Sequence, residues 1–485
     1  MYRNAPVQKI NADYAVGSTS ATKPTYTPDE IANYLTSVFW SERSFDVTTG
    51  GTITYVFNDI SEEAEMLARY AMDAWSDVMG IEFVEVEAFP ADLIFRDSDP
   101  SGAYSTSSTA GGVINYSIVN IPQNWIDAYG TTLDSYSFQT FIHEIGHAIG
   151  LGHAGDYNGS AGWLTDAEYT NDSWQMTVMS YFSQTDNPTV DASFAYIITP
   201  MLADIIAMQY LYGDSITVNT GDTTYGANSN LDGYMGDLFG IMFDGESNPA
   251  IYSGGPVAFT INDDGGIDTF DFSTVSDDQN LDLNEDAISD VAGLTGNLII
   301  GRGTVIENGM TGAGDDRLTG NDVDNVLSSG AGEDTVLGNG GNDDMSGGAD
   351  RDIMAGGTGG DAINGDDGND FLFGGSGADD MQGDTGNDFI FGGAGEDTLN
   401  GGSGNDKLFG GGDADVFVFD LADGDDTIRD FDDGVDTIEI SGGITFNDLS
   451  ISDVTEGALV TFGTTSVTVI GLDALDLTTD DFTFV

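Results

Sequence analysis

All three histidines of this chain fall in one eleven-residue window, His143-Glu-Ile-Gly-His147-Ala-Ile-Gly-Leu-Gly-His153. Around its start, Phe138, Phe141, Ile142 and Ile145 recur at helical spacing, so His143 and His147 project from one side of a helix, four residues apart. Two imidazoles so spaced suit one metal ion. Gly150 can end that helix sharply, and the turn after it can bring His153 round as a third ligand. Three neutral imidazoles favour Zn²⁺, and three protein ligands leave a position open for water, as catalytic rather than structural sites do. Glu144, beside the first ligand, can take a proton from zinc-bound water and later hand it to a leaving amine. The chain has no cysteine, so no thiolate can act as ligand or nucleophile.

Elements that must hold this set are legible upstream and downstream. Ile53 to Phe57, Ile81 to Val86 and Leu93 to Phe95 are rich in β-branched and aromatic residues, as strands require. Ser61 can cap a helix on which Ala64, Leu67, Ala68, Ala71 and Trp75 recur at helical spacing. A later helix is expected to open with Thr199 as its cap and Pro200 at its first position, and to stop at Gly213. A polar N-terminal segment, 1–27, is a candidate pro-segment, and a mixed α and β domain, 28–218, carries the zinc motif. Beyond it come a β-rich junction, 219–310, a repeat array, 311–418, and a β cap, 419–485.

The array is twelve consecutive nonamers without an insertion, from Thr311 to Val418. The sixth position reads Asp316, Asn325, Asp334, Asp343, Asp352, Asp361, Asp370, Asp379, Asp388, Asp397, Asp406 and Asp415, and the eighth is always apolar. Nine residues of this kind give a tight glycine turn and a very short strand, and stacked copies bury one apolar side chain each. Glycines let backbone carbonyls approach an ion closely, while each carboxylate adds hard oxygen and charge, so several structural Ca²⁺ ions are expected. Candidate ligands are the sixth-position aspartates from Asp316 to Asp406 and the turn glycines Gly312, Gly314, Gly330, Gly332, Gly341, Gly359, Gly368, Gly377, Gly386, Gly395 and Gly404. Asn325 and the glycine replacements Thr311, Ser329, Asp350 and Asp413 weaken the pattern toward the ends, so the best sites should run from Asp334 to Asp406.

The 485 residues carry 83 acidic and 11 basic side chains, a formal net charge of −72. Such a surface excludes nucleic acid and anionic membranes as partners, which require clustered Lys and Arg. The array accounts for 23 acids and three bases, so most of the acidity is general surface charge. No stretch reaches the ~20 apolar residues of a membrane span, and 40% hydrophobic residues suffice for a packed core.

HExxHxxGxxH followed by Thr177-Val178-Met179-Ser180-Tyr181 resembles the metzincin signature with its Met turn. With Gly155-Asp156-Tyr157-Asn158 and an RTX-like array on the same chain, it resembles the serralysins, secreted bacterial zinc endopeptidases. The resemblance implies an α+β metzincin catalytic domain followed by an all-β parallel β-roll with a β-sandwich-like C-terminal cap. It implies that Met179 forms an apolar base beneath the metal. It also implies that the Tyr181 hydroxyl ligates zinc at rest and stabilises the oxyanion during turnover. A further calcium site, with ligands at Asp263, Gly265 and Asp268 completed by backbone oxygens of Asn219, Gly221 and Thr223, is implied in the same way. Two departures are visible: Ala154 stands where the family usually has Pro, and Asn219 where it usually has Arg.

Substrate is expected to lie extended along an edge strand above the helix. The candidate is the run Gly112, Val113, Ile114 and Asn115, an ordinary structural strand being the other reading. The leading expectation is a monomeric, extracellular zinc endopeptidase acting on proteins and peptides. The alternative is a calcium-dependent adhesive or surface-layer protein, which has no need of the complete zinc set. The start, MYRNAPVQKINADYAVGS, carries no apolar signal core, whereas the end, Asp480-Asp481-Phe482-Thr483-Phe484-Val485, resembles the tail read by type I secretion machinery, so C-terminal export is expected.

Overall fold

The computed structural model describes residues 23–213 and 219–485. Residues 1–22 of the expected N-terminal segment, and 214–218 at the end of the expected protease domain, lie outside the described residues. Two compact units emerge, one formed by residues up to 220 with 231–266 and 294–304, the other by 221–230, 267–293 and 305–485.

The first unit is built on a five-stranded sheet. Its strands are β1 (Thr52–Asn58), β2 (Glu82–Glu85), β3 (Leu93–Arg96), β4 (Tyr104–Ala110) and β5 (Val113–Asn120), in the order β2-β1-β3-β5-β4. All neighbours run parallel except β4 and β5, which form an antiparallel hairpin. The helices are α1 (Pro28–Asn33), α2 (Glu62–Met79), α3 (Gln123–Tyr129), α4 (Tyr136–Ala148), α5 (Trp163–Asp166), α6 (Leu202–Tyr212) and α7 (Gly233–Phe243). Ser61 caps α2 by accepting the Ala64 N–H at 3.3 Å, and the helix buries Leu67, Ala68, Ala71 and Trp75 as the spacing requires. Gly80 ends it in the left-handed conformation.

Three details depart from expectation. Residues 23–27, expected to lie outside the domain that follows, are held against it: Pro24 accepts the Thr170 N–H at 2.7 Å, Tyr26 stacks on Tyr169 at 4.5 Å, and Thr27 caps α1. Helix α6 begins at Leu202, later than Thr199 as cap would set it. The Asp204 carboxylate accepts the Met201 N–H at 2.9 Å and takes over the capping role, while Thr199 Oγ1 accepts the N–H of Thr260 at 2.7 Å. Helix α7 lies within the stretch expected to be a β-rich junction. Three glycines and an almost wholly apolar composition concealed its period, and at Gly236 a side chain would stand 2.0 Å from the Leu231 carbonyl oxygen.

The second unit consists of two large sheets of mainly parallel strands, eleven strands each, consistent with a β-roll. Pairing advances by 18 residues, two nonamers to a coil. Leu318, Val336, Met354, Leu372, Ile390 and Leu408 align in one sheet. Leu327, Met345, Ile363, Met381, Leu399 and Phe417 align in the other. These eighth-position side chains are all buried and form the interior. Stacking outruns the nonamer register at both ends: strand 269–271 pairs with 308–310 before the array, and 425–428 and 437–440 add further coils after it. The final strands lengthen the same two sheets, 482–484 joining one in parallel and 450–470 closing the other as an antiparallel meander.

Candidate metal centre and catalytic site

Ser135 caps α4 by accepting the Phe138 N–H at 3.2 Å, and nearly every residue of this helix is buried. His143 and His147 stand on one face with ring centroids 4.7 Å apart. Gly150, at φ +130°, follows the helix, and a Cβ there would lie 2.4 Å from the Arg43 carbonyl oxygen, so the sharp exit needs glycine. The exit returns His153 to within 4.5 Å of His147 and 5.5 Å of His143, ring to ring.

His143 Nδ1–H donates to the Val178 carbonyl and His147 Nδ1–H to that of Leu151, each at 2.8 Å. Both rings therefore present bare Nε2 atoms inward. His143 Nε2 is buried without a partner, and His147 Nε2 lies 2.9 Å from His153 Nε2. Ligand atoms of the three rings fall within 4.8 Å of one another. Burial pushes His143 down to about 4 and holds His147 and His153 well below the usual imidazole range, so all three are neutral. Neutral imidazole nitrogens gathered in a dry site, one of them orphaned, fit a zinc ion.

Glu144 lies on the adjoining face of α4, 3% exposed, with burial raising its carboxyl to about 8 against the opposing hydrogen bond from the Ser105 backbone. Ser105 belongs to β4, the outermost strand of the sheet. This corrects the expectation for Gly112, Val113, Ile114 and Asn115. Residues 113–115 open β5, which lies between β3 and β4, and Ser44 also bridges to Val113, giving its carbonyl to the Ile114 N–H at 2.8 Å. A strand already paired on both sides cannot take substrate along an edge. The edge strand on this side of the sheet is β4.

Met179 is fully buried below α4, where a Cβ on Gly146 would lie 2.8 Å from Met179 Sδ and 3.0 Å from the Trp75 ring. The Tyr181 ring packs 4.5 Å from His153 and 4.8 Å from Tyr157, and its hydroxyl accepts the Gly159 N–H at 3.3 Å. Phe39 and Trp40, just after a π-helical turn at Tyr34–Val38, set their rings against His153 and His147 at 4.9 and 5.5 Å. No periodicity or motif marked Phe39 and Trp40. Asp172 and Asp204, which brace the turn at Met179, were also missed, although Asp204 carried a signal as an acid in the first turn of a helix.

In the second unit the sixth-position aspartates form two ladders. Asp334 Oδ1 accepts the backbone N–H of Asp316 at 2.7 Å, Asp352 that of Asp334 at 2.9 Å, and the other ladder starts with Asp343 accepting the Asn325 N–H at 2.8 Å. The second oxygen, Oδ2, of every such aspartate from Asp334 to Asp406 is buried without a partner, and Asp426 in the next coil repeats the pattern. Asp316, at the weak end, instead accepts the Gly312 N–H. Turn glycines bring carbonyls close beside these carboxylates: a Cβ on Gly359 or Gly377 would lie 1.6 Å from the carbonyl oxygen one coil before. Orphaned acidic oxygens among backbone carbonyls suit Ca²⁺. Of the residues expected to bind calcium outside the array, Asp263 Oδ1 accepts the Gly265 N–H at 2.9 Å in the first unit, which also holds Asn219 at φ +51°. In the second unit, Asp268 Oδ1 accepts the Thr223 N–H at 2.8 Å, and the Gly221 carbonyl accepts the Thr223 hydroxyl.

The family model described as peptidase M10 serralysin C terminal matches residues 214–461, about half of the chain, and the peptidase M66 model matches 127–191. A serralysin from Proteus mirabilis is 39% identical over 302 residues, 57% of this chain and 57% of that protein. Metalloprotease AprA from Pseudomonas entomophila is 34% identical over 338 residues, 63% and 66% of the two chains, and serralysin A from Dickeya chrysanthemi 35% identical over 334, 62% and 66%. The chain thus spans between about half and two thirds of the length of these curated relatives.

Proposed function

Since the chain belongs to the peptidase M10 serralysin family, we propose that it is a zinc-dependent endopeptidase acting on extracellular proteins, its β-roll stabilised by calcium. The observation that carries the reading is the convergence of His143, His147 and His153, with His143 Nε2 orphaned in a dry site beside Glu144. These three imidazoles would hold the zinc, with the Tyr181 hydroxyl as a fourth ligand at rest. When bound, zinc supplies Lewis acidity and water acidic enough to attack at neutral pH.

The chain's own groups account for the remaining steps. β4 offers its edge to the backbone of an extended substrate and so fixes the scissile bond over Glu144. The Glu144 carboxylate takes a proton from the attacking water and returns it to the leaving amine. The Tyr181 hydroxyl donates to the oxyanion of the tetrahedral intermediate. Met179 and Trp75 floor the site with apolar surface, which keeps the imidazoles neutral and their lone pairs available.

In the β-roll, the unpartnered carboxylate oxygens from Asp334 to Asp406, the carbonyls at turn glycines and the Asp426 oxygen would hold several Ca²⁺ ions. Type I export guided by residues 480–485 and folding in calcium outside the cell complete the proposal. No helix among the described residues is long and apolar enough to cross a membrane. The test is hydrolysis of casein by the metal-loaded protein: a zinc chelator should abolish it and added Zn²⁺ restore it. Undiminished hydrolysis in a sample proven free of zinc would refute the reading.

A further inference from the structure

We propose that two buried carboxylates, Asp204 and Asp172, are positioning residues that clamp the turn Thr177–Tyr181 at its two ends, Asp204 orienting His143 and Asp172 orienting Tyr181. The proposal rests on the zinc endopeptidase reading and extends it to residues outside the histidine motif.

Asp204, on the first turn of α6, is fully buried. Its Oδ1 accepts the Thr177 hydroxyl at 2.5 Å, and its Oδ2 accepts the N–H groups of Val178 and Met201 at 2.8 and 2.9 Å. Thr177 Oγ1 in turn accepts the Met179 N–H at 3.0 Å. Val178 is therefore gripped at its N–H, and its carbonyl takes the Nδ1–H of His143 at 2.8 Å. That last bond fixes the tautomer with Nε2 bare and sets the direction in which the lone pair points.

At the other end, Asp172 is also fully buried and accepts the Ser180 hydroxyl at 2.6 Å. Ser180 Oγ accepts the Phe182 N–H at 3.1 Å, and the Ser180 carbonyl accepts the Trp174 indole N–H at 2.9 Å. The residues on both sides of Tyr181 are thus held through one carboxylate. The same carboxylate accepts the Tyr157 hydroxyl at 3.1 Å, and the Tyr157 ring is the surface on which the Tyr181 ring packs.

Neither acid forms an ion pair among the described residues, and burial raises Asp204 to about 7 and Asp172 to about 6. Acids so placed are poor stabilisers. Every neighbour aimed at them is a donor, which favours the ionised, acceptor-only form against burial, and an amide in the same place would turn its own N–H₂ toward those donors.

The experiment uses the full-length zinc-loaded protein and the variants Asp204→Asn, Thr177→Val, Asp172→Asn and Ser180→Ala. Zinc affinity is measured by competition with a chromophoric chelator, the visible spectrum is recorded after Co²⁺ substitution, and kcat and KM are measured on one peptide. Asp204→Asn and Thr177→Val should each weaken zinc binding about 10- to 100-fold and shift the cobalt bands, and their combination should be no worse than the stronger single change. Asp172→Asn and Ser180→Ala should leave zinc affinity within about threefold while lowering kcat about tenfold at unchanged KM. Should an aspartate variant fail to fold, Thr177→Val and Ser180→Ala, which each remove one hydroxyl, decide the matter. Wild-type zinc affinity and cobalt spectrum in Thr177→Val, with wild-type kcat in Ser180→Ala, would overturn the proposal. A wild-type protein that binds no zinc would instead overturn the reading beneath it.

Discussion

The Ser105 backbone, on the edge strand β4, holds the buried Glu144 carboxyl of α4 down against the upward push of burial, so strand and acid act on each other. A peptide added along that edge has its backbone registered against the acid that must reach its scissile bond. Peptide substrates N-methylated at single amides near the cleavage site should therefore lose kcat/KM by about two- to tenfold for each bond to β4 removed, with unpaired amides unaffected. Equal rates for every methylated position would mean that substrate is not held along β4.

Tyr181→Phe removes one hydroxyl and leaves the ring against His153 and Tyr157. If that hydroxyl stabilises the oxyanion, kcat should fall about 100-fold with KM nearly constant. An unchanged kcat would confine Tyr181 to packing.

The histidine cluster, the helix bearing it and the β-roll core were legible because each has a short period. His143 and His147 repeat at helical spacing, and Leu318 to Phe417 recur every nine residues whatever the rest of the chain does. The substrate edge was misplaced because strand order is a long-range property: nothing local to Val113 announces that Ser44 covers one of its sides. Asp204 and Asp172 were missed for the same reason: Asp204 stands out in sequence only as an acid in the first turn of a helix and Asp172 not at all, and neither signal points to the turn at Met179 on which they act. Helix α7 escaped because a helix apolar all round, with glycines at close contacts, has no amphipathic signal to read.

Calcium and protons should compete for the β-roll. Burial raises Asp334, Asp343, Asp370, Asp379 and Asp406 to about 6, and Asp352 and Asp388 to about 7, from a usual value of 3.8. A folded state with raised carboxyl values binds more protons than the unfolded one. The contribution is thus complete below about pH 4 and is lost as pH rises through 6 to 7. Full-length protein carrying Glu144→Ala, held in a calcium chelator, should show more β-structure by circular dichroism at pH 5 than at pH 8, and millimolar Ca²⁺ should abolish the difference. More structure at pH 8 in chelator would contradict this.

Glycines of the roll should differ sharply in tolerance. Gly359→Ala places a Cβ 1.6 Å from the Gly341 carbonyl oxygen at φ +132°, whereas Gly412→Ala meets nothing nearer than 4.0 Å. The first should destabilise the calcium-loaded roll by about 2 kcal/mol or more and the second by less than about 0.5 kcal/mol, read from urea denaturation. Equal effects would show that turn glycines are not set by close approach.

The most direct test of the central claim is metal content and casein hydrolysis measured on the same preparations of wild type and Glu144→Ala. Wild type should hold one zinc per chain and cleave casein. Glu144→Ala should hold the same zinc and lose at least about 100-fold in rate, since the three imidazoles remain and only the proton carrier has gone. A fully active Glu144→Ala protein, or an active wild type without zinc, would contradict the account.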